Sequence, residues 1–107
     1  MSLIFSTDRT EFEGRVLNGA IAELTNAVIA LFWEGDEPRL GTLTATLPSK
    51  VSSALLGDRY SALGQLVGEQ LSAKYGKMVL TSTYLSAITE SSAAKAILEM
   101  TKRISTK

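Results

Sequence analysis

The side chains of this chain that could do chemistry are carboxylates, and their placement limits what that chemistry could be. Of 107 residues, eleven are Asp or Glu and eleven are Lys or Arg, with no histidine and no cysteine. That composition removes the commonest general base, the commonest nucleophile pair and nearly every zinc arrangement. Glu11 and Glu13 lie on one face of an extended segment, while Glu34, Asp36 and Glu37 share a loop. The loop offers oxygen ligands for Mg²⁺ or Ca²⁺ but lacks the spacing of a known calcium loop, so it reads as a solvated acidic turn. Gly57 to Gly68 invites a phosphate-loop reading, because a glycine precedes a helix start and Arg59 sits beside it. The spacing matches neither the dinucleotide fingerprint nor the Walker pattern, and Asp58 would repel a phosphate there. That segment reads as a structural turn, with capture of a partner's carboxylate by Arg59 as its functional alternative. No catalytic residue, cofactor or metal ligand is expected.

The bulk properties point the same way. Balanced charge gives no net pull toward nucleic acid or an anionic membrane. The absence of cysteine fits a reducing compartment, no signal peptide is visible, and the longest apolar run, Ala27 to Trp33, is too short to span a bilayer. The expectation is a cytoplasmic protein forming one domain over residues 1–107.

The elements that would position any site follow from periodicity. Leu3 to Arg9 reads as a strand that continues toward Phe12, Glu13-Gly14 as a turn, and Arg15 to Leu24 as a second strand, since Asn18 and Gly19 weaken a helix there. Ala27 to Trp33 is apolar on both faces, which predicts a central strand covered on both sides. Trp33, the one tryptophan, ends that strand beside the acidic loop and is a candidate interface anchor as well as an ordinary buried strand end. Gly41 to Leu47 alternates cleanly, predicting Leu43, Ala45 and Leu47 inward and Thr42, Thr44 and Thr46 on a wet or edge face. Lys50 to Ser53 reads as a connector into a buried Leu55-Leu56-Gly57 turn. A helix follows, with Asp58 as N-cap, Leu63, Leu66, Val67, Leu71 and Tyr75 as its apolar arc, and Gly76 as its stop. Gly64 and Gly68 cost that helix about 1 kcal/mol each relative to alanine. With Ser61 and Ser72 they make a smooth flank where something packs closely, either the chain's own sheet or a second subunit across a two-fold axis. Lys77 to Leu85 is the last strand, with Met78, Val79 and Leu80 as its buried start. Ser92 to Ile104 is the last helix, with Glu99 and Arg103 spaced to pair. The predicted class is α+β, a largely antiparallel sheet of five to six strands with two helices, in the order β-β-β-β-α-β-α.

Three stretches carry a family resemblance. Leu40-Gly41-Thr42-Leu43 with Leu47-Pro48-Ser49, the turn Ala54-Leu55-Leu56-Gly57-Asp58, and Tyr75-Gly76-Lys77 ahead of an apolar strand and terminal helix resemble the small proteasome assembly chaperones. The likeness is to the third and fourth members of that group, although the connector from Ser49 to Ala54 is shorter than in the third. The resemblance implies a non-enzymatic chaperone that helps the 20S α-ring assemble by binding α-subunits. It also implies a homodimer or a heterodimer with a related chaperone. The candidate partner contacts are Trp33, Leu55, Leu56, Asp58 and Arg59, and the candidate dimer flank is Ser61, Gly64, Gly68 and Ser72. Two other classes compete: a roadblock- or profilin-like interaction scaffold, disfavoured in its roadblock form because the chain opens with strands, and a small metal-dependent enzyme using Asp or Glu.

Overall fold

A computed structural model describes residues 3–49, 51–57 and 59–105. A meander opens the chain: β1 (Ser6–Phe12), β2 (Arg15–Glu23) and β3 (Ala27–Glu34) pair antiparallel through short turns. β4 (Thr42–Thr46) and β5 (Ser52–Leu56) form a hairpin, after which α1 (Ser61–Tyr75) leads to β6 (Met78–Tyr84) and then α2 (Glu90–Ser105). β6 inserts between β3 and β4, giving the spatial order β1-β2-β3-β6-β4-β5. The β3–β6 pair is parallel and the other pairs are antiparallel, so the α+β class holds with a mixed sheet. The segment expected to be a connector and a buried turn is instead strand β5, exposed from Ser53 to Leu56.

Both helices lie on one face. α1 packs on β4 and β6, and α2 on β1 and β2. Beneath them Leu17, Val28, Phe32, Val67, Val79, Ile97 and Met100 are fully enclosed. Gly19 has no side chain because Met100 and Phe32 occupy the space above it, with the methionine sulfur 2.6 Å from where a Cβ would stand.

The largest departure from expectation concerns β4. Its threonines are the buried set: Thr46 is 0% exposed and Thr44 2%, whereas Leu43 and Ala45 are half-buried on the opposite face and Leu47 is exposed. The cause is α1. A Cβ on Gly64 would collide with Thr44 Oγ1, and one on Gly68 with Thr46 Oγ1, with the Thr46 Cβ only 2.7 Å away. Short side chains on the strand and none on the helix let the two backbones approach closely. The Thr44 hydroxyl donates to the Thr81 carbonyl at 3.3 Å, and Thr46 Oγ1 lies 2.8 Å from Ser52 Oγ.

The same approach rotates α1. Its buried residues are Leu63, Gly64, Val67, Gly68, Leu71 and Ser72, and Leu66 is left 48% exposed. The close neighbour of Gly64 and Gly68 is therefore the chain's own strand. With Ser72 they are buried inside the protomer rather than offered to a second subunit, and Ser61 at the helix start is half-buried.

Gly68→Ala tests this seam. Helix propensity alone would favour alanine by about 1 kcal/mol, but overlap with Thr46 should make the variant less stable by roughly 1–3 kcal/mol in urea denaturation. Combining it with Thr46→Ala should recover most of the loss. A Gly68→Ala protein more stable than the parent would remove the steric argument.

Candidate protein-interaction face

The sheet face away from the helices is apolar. Alternation places Ala20 and Ala22 of β2, Ile29, Leu31 and Trp33 of β3, Met78, Leu80 and Tyr84 of β6, and Leu43 and Ala45 of β4 on it. Register sets Ile29 beside Leu80, Leu80 beside Ala45 and Trp33 beside Tyr84, so the patch is continuous across four strands. Its larger members are half-buried, in contrast to the fully enclosed residues beneath the helices. The prediction of a β3 covered on both sides is met on one side only: Val28, Ala30 and Phe32 lie under the helices, while Ile29, Leu31 and Trp33 face outward. Met78 and Leu80, expected in the core with Val79, share that outward face, and only Val79 is enclosed.

The polar side chains of this face are occupied by the loop between β3 and β4. Asn18 Nδ2 donates to the Gly35 carbonyl at 2.7 Å, and Ser82 Oγ accepts the Gly41 amide at 2.9 Å. The Arg39 guanidinium lies 5.7 Å from the Tyr84 ring centroid, within cation–π range. Pro38, Arg39 and Leu40 close a recess of about 170 Å³ with Leu31 and Trp33. Within it the Trp33 indole N–H is buried and meets no acceptor among the described residues. The surface presented is thus largely hydrocarbon.

Of the other candidate contacts, Leu55 and Leu56 are exposed on β5, at 52% and 55%. Leu56 stands opposite Leu43 and so extends the open face to the sheet edge. Arg59 is exposed, its guanidinium 5.0 Å from the Tyr60 ring. Asp58, expected as both contact and N-cap, lies outside the described residues. The position before α1 is Tyr60, in the left-handed conformation at φ 60°. Its hydroxyl donates to the Leu85 carbonyl at 3.2 Å. A free amide of the first turn, that of Leu63, is capped by Glu90 of α2 at 3.1 Å. That cap comes from 27 residues away, and no local pattern could have revealed it.

Glu34 is likewise not part of a solvated turn. It is 6% exposed, and its carboxylate accepts the amides of Ser86, Ala87 and Ile88 at 2.9–3.1 Å together with the Ser86 hydroxyl. Arg15 stands 3.9 Å away. Burial pushes the Glu34 pKa up, but the amides of Ile88, Ser86 and Ala87 and the Ser86 hydroxyl together outweigh it and hold the carboxyl below its ordinary value. The group anchors the loop that starts α2, which leaves it no free lone pairs of the kind a general base needs.

No family model and no curated protein matches the chain. Among solved structures, it is similar to a chain from a chaperone complex for yeast 20S proteasome assembly. The two are 14% identical, the match covers 96% of this chain and 92% of that chain, and the TM-score is 0.69. At that identity the likeness is one of fold: the chain has a proteasome-assembly-chaperone-like fold.

The Glu34 anchor gives a pH signature. Because its folded pKa is lowered, its contribution is complete above the unfolded value, about 4.3, and is lost as pH falls through the folded value. Glu34→Gln should therefore cost about 1–3 kcal/mol at pH 7, with the gap from the parent shrinking on acidification. Urea denaturation at several pH values checks this, and a gap independent of pH would rule the anchor out.

Proposed function

We propose that this protein is a non-enzymatic assembly chaperone of the third- or fourth-member type, acting in the cytoplasm on α-subunits of the 20S proteasome. We further propose that it works as a homodimer or as a heterodimer with a related chaperone. The observation that carries the reading is the apolar open face. Three adjacent strands present Ile29, Leu31, Trp33, Leu43, Met78 and Leu80 to one side, and an isolated domain would keep such a face polar. A second protomer of the same kind, lying sheet to sheet, would supply the missing layer at the usual spacing of about 10 Å. The fold likeness to a proteasome assembly chaperone complex supports the choice of client. The reading moves the dimer contact from the α1 flank to the sheet. Trp33, Leu55, Leu56, Asp58 and Arg59 remain the proposed client contacts, with Trp33 on the open face and Leu56 opposite Leu43 at its edge. Holding subunits through shape and rim charge suits a helper that must later leave.

Leu80→Lys places a charge at the centre of the face, where the side chain can reach solvent in a monomer. The parent should sediment as a dimer at high micromolar concentration, and the variant as a monomer with unchanged far-UV circular dichroism. Immobilised parent protein should capture purified 20S α-subunits. A monomeric parent would sink the dimer, and failure to retain any α-subunit would sink the proteasome role while leaving a general interaction scaffold.

A further inference from the structure

The two edges of the sheet differ in kind. β1 carries Asp8, Arg9 and Glu11, α2 packs along it, and Arg103 donates to Asp8 at 2.6 Å. Charge and a covering helix are the usual protections of an edge strand. β5 reads Ser-Ser-Ala-Leu-Leu with no charge. Leu47, Val51, Leu55 and Leu56 line it or flank it, each exposed.

Among the described residues no strand pairs with the outer side of β5. The Leu47 amide donates to the Val51 carbonyl at 2.9 Å, which makes those residues a hydrogen-bonded pair at the base of the hairpin. Bonded and non-bonded pairs alternate along an antiparallel ladder. Ala45 and Ser53 are then bonded, whereas Thr46–Ser52 and Thr44–Ala54 are not. Ser52 and Ala54 accordingly turn their N–H and C=O groups away from β4 and out of the sheet. Two donors and two acceptors stand in strand geometry, about 7 Å apart along the edge. The ligand that matches such an array in register is another extended backbone.

We propose that β5 is a strand-addition site, at which an extended, uncharged segment of another protein pairs with Ser52–Ala54 as a seventh strand. Branched apolar side chains of the segment would lie against Leu55 and Leu56. A second copy of β5 fits less well. The β4–β5 ladder shifts register between Leu43 and Thr44, next to Leu55, and such irregularities increase local twist. Two rigid edges twisted in this way would match only over Ser52–Ala54, while a free segment follows the twist. The proposal depends neither on the proteasome reading nor on what covers the open face.

The probe is a fluorescein-labelled peptide, acetyl-Lys-Thr-Val-Thr-Val-Thr-Lys-amide, titrated with the full chain by anisotropy. Saturable binding is expected. N-methylation of the alternate amides that face β5 should weaken it at least about tenfold, the loss expected when a hydrogen bond is left unmade, while methylation of the other set should be tolerated. Ala54→Pro removes an outward N–H without taking one from the β4–β5 ladder, so a folded variant should show the same loss. If that variant does not fold, the two methylated peptides on the parent protein decide the question. No saturation at millimolar peptide, equal effects of the two methylation patterns, or undiminished binding to folded Ala54→Pro would overturn the proposal. So would a parent dimer that Ala54→Pro converts to monomer, because a second copy would then occupy the edge.

Discussion

The close approach of α1 to β4 is the constraint on which the rest of this structure depends. Gly64 and Gly68 exist without side chains because Thr44 and Thr46 fill the space where a Cβ would be. Along a strand the side-chain period is two, so choosing one face for the threonines sends every alternate residue to the other. Leu43 and Ala45 are displaced outward by that choice, into line with Leu80 and Ile29. The apolar open face is therefore a consequence of how tightly the helix layer seats. The glycines cost helix propensity, and what offsets the cost is contact between two backbones that larger residues would hold apart.

A second set of interactions ties the starts of both helices to the ends of two strands. Glu34 at the end of β3 holds the amides of residues 86–88, Glu90 caps Leu63, and Tyr60 reaches Leu85. A buried carboxylate is stable when several donors satisfy it, as the three amides do for Glu34, while the half-buried Glu90 accepts the Leu63 amide. Carboxylates held in this way orient the elements they join. The two surfaces proposed above for recognition differ in chemistry. The open face offers hydrocarbon to a complementary layer, which rewards area and shape. The β5 edge offers unpaired backbone groups, which reward extended conformation and register.

Much of the architecture was legible in the sequence. The start of the meander came from the turn residues Glu13-Gly14 between two strand patterns. The helix stop came from Gly76, which closes α1 in the left-handed conformation at φ 65°. The α+β class came from strands preceding helices. The two-sided apolarity of Ala27 to Trp33 also carried a true message. It reports a strand with one face under the helices and the other in a sheet surface that is itself apolar. β5 was missed because Ser-Ser-Ala-Leu-Leu has neither alternation nor the β-branched residues that mark strands.

The sequence by itself determined which residues prefer helix or strand, where the chain turns, and that no histidine or cysteine chemistry is available. Those properties are local, set by side-chain shape, backbone freedom and composition. Only the tertiary structure decided which way β4 faces, which arc of α1 is buried, that β6 enters beside β3 in parallel, and that Glu34 and Glu90 serve amides 27 to 54 positions away. Alternation of Thr with Leu is symmetric under a flip of the strand. The sign is set by the partner that packs against it, and here two glycines on a helix took the side that hydrophobicity alone would have left to water.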